Sequence, residues 1–264
     1  MAQTVPPVRA WEAWRGEFPI FERRLYYNTC SLGALSRQVA AAVRRFLELW
    51  DGSGASAWYG PWLGEIEALR AGVARLIGAD DDEVAIFPSV TAALTAVASA
   101  YAYRERMRVV VSDREFPTTV YQWLAKRDLG VETVILRSPD PLTVPPELYE
   151  AAVDERTQLV VASHVYFTSG AIQDIGALAS CAHRRGAHLL VDAYQATGQL
   201  PTDVHALGVD YLVTGGLKWL LGGPGVAFLY ARRAVAERLR PTSVGWFAHR
   251  DQFAFLPTRF EHAP

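Results

Sequence analysis

A lysine set among glycine, leucine and tryptophan is the residue of this chain best suited to covalent chemistry. Of the 26 basic residues only Lys126 and Lys218 are lysine. Lys126 lies in the polar stretch Ala125-Lys126-Arg127-Asp128, where either cation would serve, whereas Lys218 lies in Gly215-Gly216-Leu217-Lys218-Trp219-Leu220-Leu221-Gly222-Gly223. Desolvation lowers the pKa of an ammonium, and the neutral amine adds to carbonyls to form a Schiff base, which a guanidinium cannot do. A lysine snorkelling at an element end is the alternative for this segment taken alone. Other reactive groups stand directly after short apolar runs. Ser89 and Thr91 open a helical stretch whose free N–H groups and dipole suit a phosphate. Glu115-Phe116-Pro117-Thr118 follows a second run, His164 a third, and Asp192 ends Leu189-Leu190-Val191.

The elements that must position these groups alternate in type. Short Val/Ile/Leu-rich runs predict strands buried on both faces at Val84–Phe87, Arg108–Ser112, Glu132–Leu136, Gln158–Ser163, His188–Asp192, Tyr211–Thr214 and Gly225–Tyr230. Amphipathic stretches between them predict helices at Ser36–Trp50, Leu63–Ile77, Val90–Tyr103, Thr118–Leu129, Pro145–Val153, Ile175–Arg185 and Ala231–Arg240. In the first, Val39, Val43, Phe46, Leu47 and Trp50 recur at helical spacing behind a Ser36 cap, which predicts a helix lying on the core. Loops are expected at Asp51–Pro61, Arg137–Pro146 and Pro241–Pro264. The pattern is that of an α/β protein with a mostly parallel seven-stranded sheet between helical layers. In such sheets ligands bind beyond the carboxyl ends of the strands, where the groups named above converge.

Composition narrows the partners. The chain has 264 residues, half of them hydrophobic, enough for one large core. A net charge of −2 with scattered basic residues gives no footprint for nucleic acid or an anionic membrane, so a small substrate is expected. Two cysteines, Cys30 and Cys181, make no disulfide framework, and no Cys/His spacing suits a metal, so a reduced, cytoplasmic setting is expected. No apolar run reaches the ~18 residues of a membrane span.

An anion site, a flat aromatic ring, a carboxylate and a Schiff-base amine together meet the needs of pyridoxal 5'-phosphate: for its phosphate, ring face, pyridine nitrogen and aldehyde respectively. Asp192 alone would also suit a nucleotide or metal site. The conjunction is more specific, because Ser163-His164-Val165-Tyr166-Phe167-Thr168-Ser169-Gly170, Val191-Asp192-Ala193-Tyr194-Gln195 and the block from Gly215 to Gly225 resemble the class V aminotransferase family of fold-type I pyridoxal-phosphate enzymes. Kynureninases, cysteine desulfurases and isopenicillin-N-epimerase-like proteins belong to it. The resemblance runs from about Tyr27-Asn28 to the C-terminus.

That resemblance implies a Schiff base and acid/base role for Lys218, a pyridine partner in Asp192, a contact from Gln195 to the phenolic oxygen, and a phosphate turn at Val90 and Thr91. It places Phe116 on the cofactor ring, in a Phe-Pro-Thr motif similar to that of kynureninases, and His164 near the phenolic oxygen, within the His-Val pair that kynureninases also carry. For Gln195, His164 and Phe116 the alternative is packing or capping. Residues 1–35 would lie at the active-site entrance, where Ser31 either touches substrate or forms a plain turn, and residues 36–264 would form the cofactor domain ending in an aromatic-rich loop. Trp58 and Tyr59 would line a substrate pocket or a dimer interface. Trp246, His249 and Arg250 would reach the partner's site in a homodimer, with Arg250 a candidate substrate contact. Two departures stand out: Leu217 replaces a His or Tyr, and Gly215 replaces a serine that binds phosphate in cysteine desulfurases. The resemblance further implies a C-terminal small domain carrying the arginine for the substrate carboxylate, which this sequence is expected to lack. The expected activity is that of a kynureninase-like enzyme or generic aminotransferase acting on a small amino acid. A cysteine desulfurase or C–S lyase, and a truncated non-catalytic homologue, are the alternatives.

Overall fold

The computed structural model describes residues 9–262. Seven strands, β1 (Val84–Phe87), β2 (Arg108–Ser112), β3 (Glu132–Leu136), β4 (Thr157–Ser163), β5 (His188–Asp192), β6 (Tyr211–Gly215) and β7 (Ala227–Ala231), form one sheet in the order β1-β7-β6-β5-β4-β2-β3. Strands β6, β5, β4, β2 and β3 are parallel, and β7 runs antiparallel to both β6 and β1. Two antiparallel steps cancel, so the carboxyl end of β1 lies on the same edge as those of β2, β4, β5 and β6. That places the starts of the segments after Phe87, Ser112, Ser163, Asp192 and Gly215 along one rim.

Among the described residues eight α-helices accompany the sheet: α1 (Arg9–Arg15), α2 (Arg37–Ser53), α3 (Pro61–Ile77), α4 (Val90–Ala100), α5 (Pro117–Leu124), α6 (Pro146–Ala152), α7 (Ile175–Arg184) and α8 (Arg233–Ala236). Helices α3, α6 and α7 bury Ile77, Tyr149 and Leu178 against Val160, Leu189 and Leu212 on one face of the sheet. On the other, α4 and α5 bury Leu94, Val97 and Trp123 against Val109, Val161 and Leu190. The central strands are buried at nearly every position because both faces are covered. This is the expected three-layer α/β/α arrangement. No helix among the described residues is long and apolar enough to cross a membrane.

Several expectations need correction. The Ser36 hydroxyl accepts the Val39 N–H as predicted, but α2 does not lie on the core: it has no buried residue, and Val43, Phe46, Leu47 and Trp50 stay exposed. Helical periodicity shows that a face is apolar, not which surface it meets. The segment 51–61 is not a loop: α2 runs to Ser53, a 3-10 turn covers Gly54–Tyr59, and α3 starts at Pro61. The last predicted helix shrinks to α8: Ala231 pairs with Tyr211 as the final residue of β7, and the chain leaves the helix after Ala236. The stretch after α4 leaves the helix at Tyr101, and Tyr101 and Tyr103 instead fill the second core.

Candidate active site

At the shared rim lies a cavity of about 560 Å³, walled by residues from seven separate segments. Lys218 enters it from the glycine-rich loop after β6, with Nζ 4.4 Å from the Tyr194 ring centroid and 5.8 Å from that of Phe116. Burial lowers its pKa, and the charges of Asp192 and Cys30 oppose the shift. Asp192 ends β5, where Oδ1 accepts the Tyr194 N–H at 2.9 Å and Oδ2 the Thr119 hydroxyl at 3.1 Å. Burial raises its pKa, and those two donors and Lys218 lower it.

Across the cavity, α4 begins directly after β1. Ser89 caps it by accepting the Ala92 N–H at 3.1 Å, and the first-turn N–H groups of Val90 and Thr91 are the orphan donors that a helix start leaves. Phe116 sits at the cap of α5, packed edge-on to Phe167 at 5.3 Å. The amide of Gln195 is fixed at both ends: Oε1 accepts the Trp219 indole N–H at 2.7 Å and Nε2 donates to the Cys30 carbonyl at 2.9 Å. The entrance loop is held down beside it, because the Gly33 N–H donates to the Leu217 carbonyl at 2.7 Å.

The cavity thus gathers Lys218, Asp192, Val90, Thr91, Phe116, Gln195 and Ser31. Three expected residues lie elsewhere. His164 is buried between Ser163 and Val165, which line the cavity while it does not; burial lowers its pKa and its Nδ1 has no partner. It supports the floor through its backbone, donating its N–H to the Asp192 carbonyl. Trp58 packs edge-on against Trp62 at 5.4 Å, away from the cavity. Arg250 is exposed and pairs with Glu261 at 3.8 Å. Among the described residues the cavity wall carries one cation, Lys218, and no arginine.

The structure adds residues that sequence reasoning missed. Tyr194 lies against Lys218, Thr119 holds Asp192, and Cys30 and Phe167 complete the wall. Thr119 follows the Pro117 helix start by two residues, and Tyr194 follows Asp192 by two, so each had a positional signal. Tyr194 also explains Gly215. A Cβ there would stand 2.6 Å from the tyrosine's Cζ and hydroxyl, so a serine at that position requires the Tyr194 ring to move aside.

Comparison with known proteins gives the family. The sequence model of the family described as aminotransferase class-V matches residues 33–263. The chain belongs to the class V aminotransferase family. Among its relatives, the uncharacterized aminotransferase YcbU of Bacillus subtilis is 38% identical over 92% of this chain and 64% of its own length. The kynureninase of Pseudomonas fluorescens is 33% identical over 94% of this chain and 60% of its own. The crystal structure of the cysteine desulfurase CsdA of Escherichia coli superposes with a TM-score of 0.82 at 22% identity, covering 96% of this chain and 65% of that one. The chain therefore spans less than two-thirds of each.

Pyridoxal 5'-phosphate is the cofactor of class V aminotransferases, and the donor set fits it. Asp192 is buried and hydrogen-bonded only to neutral donors, which leaves room for a cationic ring nitrogen to complete its charge. The start of α4 suits a dianionic phosphate. The Phe116 ring offers a flat apolar face, and the amine stands between two aromatic rings.

Proposed function

We propose that this chain is the cofactor-binding part of a pyridoxal-phosphate enzyme that acts on a small amino acid, with kynureninase-like or generic aminotransferase chemistry. One observation carries the reading: an amine of lowered pKa, a buried carboxylate without a bonded cation, an aromatic face and an open helix start share one cavity. When bound, pyridoxal 5'-phosphate supplies an aldehyde for amines and a conjugated ring that takes up electrons from the substrate's α-carbon.

The chain's own residues have separable tasks. Burial keeps a larger fraction of Lys218 neutral than in water, so its amine is nucleophilic and, when free, can take and return a proton at the α-carbon. Asp192 presents its carboxylate to the ring nitrogen, oriented by Thr119 and the Tyr194 amide. Val90 and Thr91 receive the phosphate at the α4 start, Phe116 covers the ring, and Gln195 has one N–H left to donate after bonding Cys30. The Phe-Pro-Thr motif at Phe116, the His164-Val165 pair and the kynureninase relative favour kynureninase-like chemistry over desulfuration.

The proposal includes a homodimer. The exposed apolar face of α2 supports it, and across such an interface Arg250 would serve the second copy's substrate rather than its own. A cytoplasmic setting is part of the same reading, since Cys30 and Cys181 are both free thiols.

The test is an absorbance spectrum with added pyridoxal 5'-phosphate, compared with Lys218→Ala and repeated after borohydride reduction. A visible band lost in the variant and fixed covalently to Lys218 by borohydride is expected, and a band that Lys218→Ala retains would reject the assignment. Turnover is then compared between an aryl-ketone amino acid and cysteine. Sulfur release from cysteine would replace the kynureninase-like reading with desulfurase or C–S lyase chemistry. Cofactor binding without turnover of any amino acid would mark a non-catalytic homologue.

A further inference from the structure

Behind the cavity floor lies a second buried carboxyl that the proposed chemistry does not use. Glu115 is 5% exposed; its Oε1 accepts the Ser112 hydroxyl at 2.7 Å and its Oε2 the Ser163 hydroxyl at 2.5 Å. Ser112 ends β2 and Ser163 ends the neighbouring β4, so Glu115 bridges two strand ends. Ser163 is in turn the register partner of Asp192 on β5, and both line the cavity. The bridge therefore stands one strand away from the carboxylate assigned to the ring nitrogen.

Its surroundings differ from those of the buried acids Asp210 and Glu83. Asp210 pairs with His183 and Arg232, and Glu83 with His205 and the Arg233 N–H. Among the described residues Glu115 forms no ion pair. The ionisable groups acting on it or sensing it are Asp192 from β5, Tyr149 from α6 and Tyr166 from the segment after β4, and none of them is a cation. Burial holds both phenols neutral. On its own segment, Arg114 turns away, lying 3.5 Å from Asp113 and donating to the Ser138 carbonyl. Two neighbouring buried carboxyls, with Lys218 acting on Asp192 and no cation acting on Glu115, cannot both ionise cheaply.

We propose that Glu115 is a positioning residue of this site, a proton-holding acid bridged to Ser112 and Ser163 that sets the charge Asp192 presents to the cavity. With its proton on, Glu115 leaves Asp192 free to be the ionised member of the pair. With its proton off, it adds negative potential behind Asp192, and any proton shared between Asp192 and a ring nitrogen is held to higher pH. The inference rests on the reading of Asp192 given above. Its chemistry is consistent with a Glu115 pKa pushed up to about 7, chiefly by burial, with the Ser163 and Ser112 hydroxyls opposing and Asp192 adding to the rise.

Two readouts test it. In the cofactor-free protein, infrared difference spectra across pH are expected to show loss of a protonated-carboxyl carbonyl band near neutral pH, absent from Glu115→Gln. In the cofactor-loaded protein, the visible spectrum is expected to contain a transition over the same range that Glu115→Gln loses. Ser163→Ala removes a donor to the carboxylate, so it is expected to move the infrared transition to higher pH, and it serves if Glu115→Gln fails to fold. A wild-type infrared spectrum without that transition, or one that Glu115→Gln retains, overturns the inference whatever the cofactor does. A bound-cofactor spectrum unaltered by Asp192→Asn instead rejects the site reading, while the infrared result still reports on Glu115.

Discussion

The loop carrying Cys30, Ser31 and Gly33 is held against Lys218 by contacts so close that one methyl group should lift it. A Cβ on Gly33 would stand 2.4 Å from the Lys218 carbonyl oxygen and 3.1 Å from both Cα and Cδ2 of Leu221. An ordinary carbon–oxygen contact is about 3.3 Å, so Gly33→Ala forces backbone against backbone apart by about 0.9 Å. That stretches the 2.7 Å bond from the Gly33 N–H to the Leu217 carbonyl beyond useful range, a loss of about 1 kcal/mol. Overpacking adds roughly 1–3 kcal/mol. Gly33 does not lie in the left-handed region, so alanine meets no backbone strain, and its smaller unfolded-state entropy returns about 0.5 kcal/mol. The net of about 1.5–3.5 kcal/mol corresponds to a melting temperature lower by roughly 3–14 °C for a chain of this size. Because Cys30 and Ser31 on the same loop wall the cavity, affinity for pyridoxal 5'-phosphate should weaken by about tenfold. Thermal melting and a cofactor titration measure both effects. Melting within a degree of wild type together with unchanged affinity would refute the claim that loop docking closes the site.

Other outcomes follow from the same coordinates. Gly215→Ser should destabilise the fold and displace the Tyr194 ring from Lys218, and adding Tyr194→Ala should restore melting; a double variant no better than the single would deny the steric explanation. The raised pKa of Glu115 means that the native state binds its proton more tightly than the unfolded chain. Its stabilising contribution is therefore full below the ordinary value of 4.5 and lost as pH rises to about 7, a change of about 3 kcal/mol. Urea unfolding of wild type and Glu115→Gln across this range should diverge accordingly, and parallel pH profiles would contradict the burial argument. Trp219→Phe removes the donor that fixes Gln195 and should cost about 1–2 kcal/mol with a looser entrance loop, read by proteolysis near Cys30; unchanged cleavage would show that Gln195 needs no such lock. Leu47→Asp on the exposed face of α2 should shift the chain from dimer to monomer in sedimentation, whereas loss of folding would mean that the face supports this chain's own core.

Much of the frame was legible in the sequence because its causes are local. Four strands occupy the expected bounds, Val84–Phe87, Arg108–Ser112, Glu132–Leu136 and His188–Asp192, since a short Val/Ile/Leu run between turn residues has few other ways to be buried. The lysine, the aspartate and the helix start were legible for a related reason: each directly follows such a run, and parallel strands deliver their carboxyl ends to one rim. Helix ends were less secure, because Ala231 could extend either β7 or α8 and only pairing with Tyr211 decided it.

What the tertiary structure alone decided depends on neighbours distant in the chain. The periodicity of α2 identified an apolar face but not the surface it meets, and that face turned out to lie outside the core. His164 and Ser163 are adjacent in sequence, yet the alternation of an extended chain sends Ser163 to the cavity and His164 away from it. Gly215 read as a missing ligand until the ring of Tyr194, twenty-one positions earlier, was found in its place. Glu115 read as one more polar residue before Phe116; only the joining of β2, β4 and β5 isolates it from cations and sets it beside Asp192. A sequence specifies which groups a chain owns and the local elements that carry them, whereas their charge states and partners arise from packing between elements and exist only once the sheet has assembled.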